Sequence, residues 1–161
     1  MILVAYFSAT GETARLAGTL ARAAQADLYE IRPEHPYTAA DFNWHDNQSR
    51  SSVEMKDPAC RPGIAGELPD LTRYDTVFVG FPIWWYQAPR IIETFLASCD
   101  FSGKRVVPFA TSGGSGMGHT EEILKKSCPT KAVFLPGRRF DSGASLAAIR
   151  NWLNALELSK K

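Results

Sequence analysis

Ser8, Thr10 and Thr13 place hydroxyl side chains around Gly11, immediately after the apolar run Ile2–Phe7. At a strand-to-helix junction that combination suits an anion. The first N–H groups of a helix lack intrahelical partners, and the helix dipole leaves partial positive charge there. The hydroxyls add donors, and a glycine lets backbone approach the ligand closely. The loop contains no Lys or Arg, and it matches neither GxxxxGK[ST] nor GxGxxG. A monophosphate held by neutral donors fits better than a triphosphate with magnesium. Helix capping by Ser8 or Thr10 alone would explain one hydroxyl, but not three with the glycine.

Two further stretches carry chemistry. Gly80-Phe81-Pro82-Ile83-Trp84-Trp85-Tyr86-Gln87-Ala88-Pro89 puts adjacent tryptophans and a tyrosine where a strand ends. Such rings can stack on a planar heteroaromatic ligand, or they can anchor the loop in the core. Adjacent side chains diverge, so one of Trp84 and Trp85 is expected to anchor. Thr111-Ser112-Gly113-Gly114-Ser115-Gly116-Met117-Gly118 has four glycines in eight residues. It exposes backbone N–H groups to a ligand edge. Alone it would read as a flexible linker; its place after a strand argues otherwise.

The elements that must position these loops follow from periodicity. Ile2–Phe7 is continuously apolar, as expected of a strand covered on both faces. Leu16, Ala17, Leu20, Ala21 and Ala24 form one helical stripe. Asp27–Ile31 alternates and stops at Pro33. Asp75–Phe81 is the third strand, followed by a helix with Pro89 in its first turn and Ile91, Ile92, Phe95 and Leu96 facing inward. Arg105–Thr111 is the fourth strand, with a bulge expected at Pro108, which has no N–H for a central ladder. Glu121–Lys126 reads as a helix and Ala132–Leu135 as the fifth strand. Leu146, Ile149, Leu153 and Leu156 mark a closing helix. Strands alternating with helices imply a three-layer α/β/α sandwich on a doubly wound, five-stranded parallel sheet. In such a sheet ligands sit outside the carboxyl ends of the strands, where the three loops converge.

The 161 residues fit a single domain, 1–161. The segment 33–73 interrupts the alternation. Rich in Pro, Asp, Asn and Ser, it reads as a lid-like excursion with a short helix within Thr38–Met55. A net charge of +1 argues against a broad nucleic-acid surface. No stretch has the length of a membrane span. Cys60, Cys99 and Cys128 have no metal-like spacing and no CxxC. An odd count without a secretory segment points to reduced thiols and a cytoplasmic protein. No metal site is expected.

Ser8-x-Thr10-Gly11-x-Thr13 matches the phosphate fingerprint [ST]-x-T-G-x-T of the flavodoxin family, and the other two loops resemble that family's ring-contacting loops. The resemblance spans the chain in order, with Glu12 where many members have Asn. It implies a sheet order of 2-1-3-4-5 and FMN at the switch point between strands one and three. Ser8, Ala9, Thr10, Gly11, Glu12 and Thr13 would hold the phosphate. Pro82, Ile83, Trp84 and Trp85 would flank the isoalloxazine ring. Thr111, Ser112, Gly113, Gly114, Ser115 and Gly116 would line its pyrimidine edge.

The flavin supplies the chemistry, so no side chain is assigned as a catalytic acid, base or nucleophile. The expected activity passes electrons from NAD(P)H through FMN to a quinone or similar small acceptor. The alternatives are a one-electron carrier, reduced by a reductase and docking on protein partners, and a non-catalytic FMN-binding module. Dedicated carriers of the family are strongly acidic, which suits steering to basic partners; a chain at +1 does not share that property. Many enzyme relatives pair as homodimers, although no interface is legible here. Trp44, His45 and Arg50 could roof the ring, but Arg50 is also placed to pair with Glu54. For His119 a surface position, and for Cys60 no redox role, are the plainer readings.

Overall fold

The opening apolar run becomes β1 (Ile2–Tyr6), in the interior of a parallel sheet. It pairs with β2 (Asp27–Glu30) on one side and β3 (Thr76–Pro82) on the other. Beyond β3 lies β4 (Arg105–Thr111), so the order is the expected 2-1-3-4-5. The computed structural model describes residues 1–43, 45–85, 87–111, 120–128, 131–141 and 143–156.

The central strands are apolar throughout because alternate residues enter two separate cores. Leu3, Ala5, Phe7, Val77, Val79, Phe81, Val106 and Ala110 face one side, where Ile91, Ile92, Phe95 and Leu96 of α3 (Arg90–Ser98) and Leu124 of α4 (Thr120–Ser127) cover them. Val4, Phe78, Val107 and Phe109 face the other. There they meet Leu16, Ala17, Leu20 and Ala21 of α1 (Glu12–Ala24), and Ile149 and Trp152 of α5 (Leu146–Leu156). Trp152 packs edge-on against Phe78 and Phe140, a core contribution that the leucine spacing of the closing helix does not reveal. Pro89 is the residue preceding α3, one position earlier than expected.

The fifth position differs from expectation. Instead of one strand over Ala132–Leu135 it holds two short pieces, β5 (Val133–Phe134) and β6 (Arg138–Phe140), both parallel to β4. The cause is Pro108. The Leu135 N–H donates to the Val106 carbonyl at 3.0 Å, so even-numbered residues of β4 turn their backbone polar groups toward this neighbour. Pro108 has no N–H to offer there. Between the pairs Val106↔Phe134 and Phe109↔Arg138 the partner carries one residue more than β4. The bulge expected in β4 therefore lies in its partner. Toward β3, β4 keeps unbroken register from Thr76↔Arg105 to Pro82↔Thr111.

In the excursion, a 3₁₀ turn (Ala39–Phe42) and a helix α2 (Arg50–Lys56) form. Ser49 caps α2 by accepting the Ser52 N–H at 3.4 Å, and a bridge between Pro33 and Ile64 closes the base. Among the described residues no helix is long and apolar enough to cross a membrane.

Gly80 lies opposite Phe109 in the β3–β4 register, and a Cβ there would fall 2.1 Å from the Phe109 ring. That ring is fully buried and cannot swing away. Gly80→Ala should cost about 1–3 kcal/mol of stability through overpacking, measured by urea denaturation; a neutral result would mean that the two strands separate more easily than this packing implies.

Candidate functional site

At the junction after β1 the three hydroxyls separate: Ser8 caps the helix, Thr13 is buried and Thr10 is exposed. Gly11 precedes α1 with φ of 95°, a left-handed conformation natural to glycine. Having no side chain, it cannot cap the helix; the Ser8 hydroxyl does so instead, accepting the Gly11 N–H at 3.1 Å and the Ala14 N–H at 3.2 Å. One oxygen thus gathers two N–H groups at a helix start, the position an anionic oxygen would favour. Thr10, Gly11 and Glu12 are exposed around it, and a Cβ at Gly11 would meet nothing within 4 Å. The donors are neutral and the surroundings open, which suits a phosphate monoester. Thr13 behaves differently: its hydroxyl is buried and bonds the Thr111 hydroxyl at 2.8 Å, pinning this loop to the end of β4.

After β3 the two tryptophans separate. Trp84 is half-buried in an aromatic cluster, with ring centroids 5.8 Å from Phe7, 5.6 Å from Tyr37 and 5.9 Å from Phe42. It also exchanges backbone hydrogen bonds with Gln87, at 2.8 and 3.0 Å. Trp85, between them, is 41% exposed and holds φ of 49°. A bulky residue in the left-handed region is strained by about 1–2 kcal/mol. Trp84 is the anchor, and Trp85 presents its ring to solvent at the binding edge. Pro82 ends β3, and the Ile83 N–H donates to the Thr111 carbonyl at 3.1 Å. Ser112, Gly113, Gly114, Ser115 and Gly116 lie outside the described residues, as do Trp44, Tyr86 and His119.

The excursion is fastened against this edge by Arg90, Glu93 and Arg61, which the sequence did not single out, and by the Arg50–Glu54 pair, which it did. Arg90, 4% exposed, donates to the carbonyls of Glu54 (3.3 Å) and Met55 (2.8 Å) at the end of α2, to Gln87 Oε1 (3.3 Å) and to Glu93 Oε1 (2.8 Å). The other oxygen of Glu93 takes Arg61 at 2.9 Å and the Ser127 hydroxyl at 3.1 Å. Beside this network the Tyr37 hydroxyl donates to Glu54 Oε1. Arg50 pairs with Glu54 Oε2 at 2.9 Å and lies 3.7 Å over the Tyr37 ring. Burial, then the Glu54 hydrogen bond, hold the Tyr37 phenol far above its ordinary pKa. Arg50 thus takes the structural role. The i,i+3 and i,i+4 spacings of Arg90–Glu93 and Arg50–Glu54 were the available signal, but such pairs usually lie on solvent faces.

A cavity of about 370 Å³ opens between Ser8 and Ala9 and the excursion, walled by Phe7, Tyr37 and Phe42. His45 is exposed. Cys60, Cys99 and Cys128 form no disulfide. Burial pushes the Cys99 thiol up to about 11. Burial, then Glu54 and Asp57, raise that of Cys60, the opposite of an activated thiolate. Among the described residues no cluster of His, Cys, Asp and Glu could hold a metal ion.

A family model described as Flavodoxin matches residues 1–156. Among solved structures, a candidate flavoprotein from Bacteroides eggerthii is 50% identical, with TM-score 0.91 and 98% of each chain covered. One from Bacteroides uniformis is 50% identical, with TM-score 0.90, over 95% of this chain and 97% of that one. A flavoprotein in complex with FMN from Lactobacillus acidophilus is 20% identical, with TM-score 0.67, over 86% of this chain and 91% of that one. At that identity the likeness is one of fold. No curated protein matches the chain.

The adjacent tryptophans should respond oppositely to truncation. Trp84→Ala removes core packing and should cost about 3–5 kcal/mol. Trp85→Gly relieves a left-handed backbone and gives up little burial, so the ligand-free protein should stay within about 1 kcal/mol of the parent. Equal losses in chemical denaturation would contradict the division of roles.

Proposed function

Because the chain belongs to the flavodoxin family, we propose that it holds FMN at the β1/β3 edge and serves as an oxidoreductase between NAD(P)H and a quinone or similar small acceptor. The observation that carries the reading is the exposed, strained Trp85 after β3, together with the loop after the neighbouring β1, where the Gly11 and Ala14 N–H groups converge on the Ser8 hydroxyl. Strain kept at a surface ring is costly unless a ligand uses it.

In this reading Ser8, Ala9, Thr10, Gly11, Glu12 and Thr13 hold the phosphate. Thr13 contributes through its N–H, its hydroxyl being bonded to Thr111. Pro82, Ile83 and Trp84 fix the turn from which Trp85 stacks on the ring. Thr111 and the glycine-rich stretch after it line the ring's polar edge. Bound FMN supplies reversible redox chemistry, and the protein supplies orientation and access. Across the whole reaction a hydride leaves NAD(P)H, and the acceptor gains its two electrons and one proton, with the second proton taken from solvent. The net charge of +1 supports an enzyme over a carrier, because nothing in it steers the protein to a basic redox partner.

Two measurements test this. Trp85→Gly should weaken FMN binding roughly tenfold, the scale of an aromatic stacking contact, while Trp84 is left in place; unchanged affinity would remove Trp85 from the site. Stopped-flow mixing of FMN-loaded protein with NADPH should bleach the flavin absorbance faster than free FMN under the same conditions. No bleaching, with reduction only through a partner reductase, would overturn the oxidoreductase reading in favour of a carrier.

A further inference from the structure

Thr111 is where the three loops meet. Its carbonyl accepts the Ile83 N–H at 3.1 Å, holding the tryptophan turn after β3, and the glycine-rich stretch continues from it in sequence. Its hydroxyl bonds the hydroxyl of Thr13, on the first turn of α1, at 2.8 Å. β3 lies between β1 and β4, so this bond reaches past one strand to join loops that are not neighbours in the sheet. Among the described residues it is the side-chain hydrogen bond that ties the Ser8–Thr13 loop to either of the other two. The Ser8 hydroxyl serves only its own helix start.

Both side chains are buried, so their hydroxyls act on each other and not on a ligand. A valine pair would fill the same volume, and replacing both members of a buried hydrogen bond by apolar groups of the same shape changes stability little. What the hydroxyls add is direction: a hydrogen bond fixes distance and angle, whereas apolar surfaces can slide. The loop so fixed is otherwise open, with Thr10, Gly11 and Glu12 exposed. Such a strut matters to a ligand that spans both loops. Once one end is bound, the other meets its site at an effective concentration set by how firmly the two sites are held in register. A ligand that touches a single loop gains nothing from it. We propose that the Thr13–Thr111 pair is a positioning strut that sets the span between the phosphate loop and the ring loops, favouring a ligand that carries phosphate and ring together over either part alone. The inference rests on the FMN reading above.

Thr111→Val, alone and combined with Thr13→Val, removes the strut while leaving the Thr13 N–H and the Thr111 carbonyl in place. In titrations both variants should bind FMN roughly tenfold more weakly than the parent. Riboflavin has no phosphate to place, so its affinity should stay within about twofold of the parent's. Thr111→Ser, which keeps the hydroxyl, should restore most of the FMN affinity. The double variant leaves no hydroxyl unpaired, so its ligand-free melting temperature should stay within about 3 °C of the parent's. FMN and riboflavin weakened by the same factor would reveal a purely structural role and overturn the proposal. Unchanged FMN affinity in the double variant would also overturn it. So would a double variant that melts far below the parent, since the pair would then hold the fold and not the span. Failure of the parent protein itself to bind FMN would instead defeat the cofactor reading, and this proposal with it.

Discussion

The guanidinium of Arg90 is the contact on which the geometry of the binding edge depends. It satisfies two carbonyls at the end of α2, the side chain of Gln87 in the tryptophan turn, and Glu93 one turn along α3. Glu93 in turn holds Arg61 of the excursion and Ser127 of α4. Both partners are almost wholly buried. A buried pair of this kind adds little net stability over apolar packing, but breaking it from one side costs about 3–5 kcal/mol. Its consequence here is placement. A 33–73 segment with little regular structure is held in one position, with α2 against the turn that carries Trp84 and Trp85.

That placement lets the ligand-free protein carry local costs that a self-sufficient fold would avoid. Trp85 is held in a left-handed conformation at the carboxyl edge of the sheet, and Ser51 on α2 is buried without a partner among the described residues. At Trp85 the local rule of backbone propensity is broken where a ligand would repay the breach. The cores on either face of the sheet show no such breach: Phe78, Phe95, Phe101 and Phe109 are fully buried and packed.

Much of this was legible in the chain. The unbroken apolar character of Ile2–Phe7 reports a strand buried on both faces, and the spacing of Leu16, Ala17, Leu20 and Ala21 reports the helix against it. The hydroxyl–glycine cluster at Ser8–Thr13 marks the strand-to-helix junction, where Gly11 is left-handed and Ser8 gathers two N–H groups. What escaped depended on contacts distant in sequence. Pro108 announces a disturbed ladder, yet its missing N–H points to the neighbouring strand, so the irregularity appears between Phe134 and Arg138. Trp84 and Trp85 are chemically identical neighbours, and only the cluster of Phe7, Tyr37 and Phe42 decides which is anchored. Thr13 reads as a phosphate hydroxyl until Thr111, 98 residues away, is seen to hold it. Arg90 and Glu93 look like a surface helical pair; burial by the excursion turns them into the fastening.

The central claim is that the Ser8–Thr13 junction grips the phosphate of the flavin. Equilibrium titration of the ligand-free protein with FMN and with riboflavin, which differ only in that phosphate, tests it most directly. The account predicts FMN binding at least about a hundredfold tighter, a difference of about 2.7 kcal/mol, supplied by charge-assisted hydrogen bonds from the loop. Equal affinity for the two would contradict it.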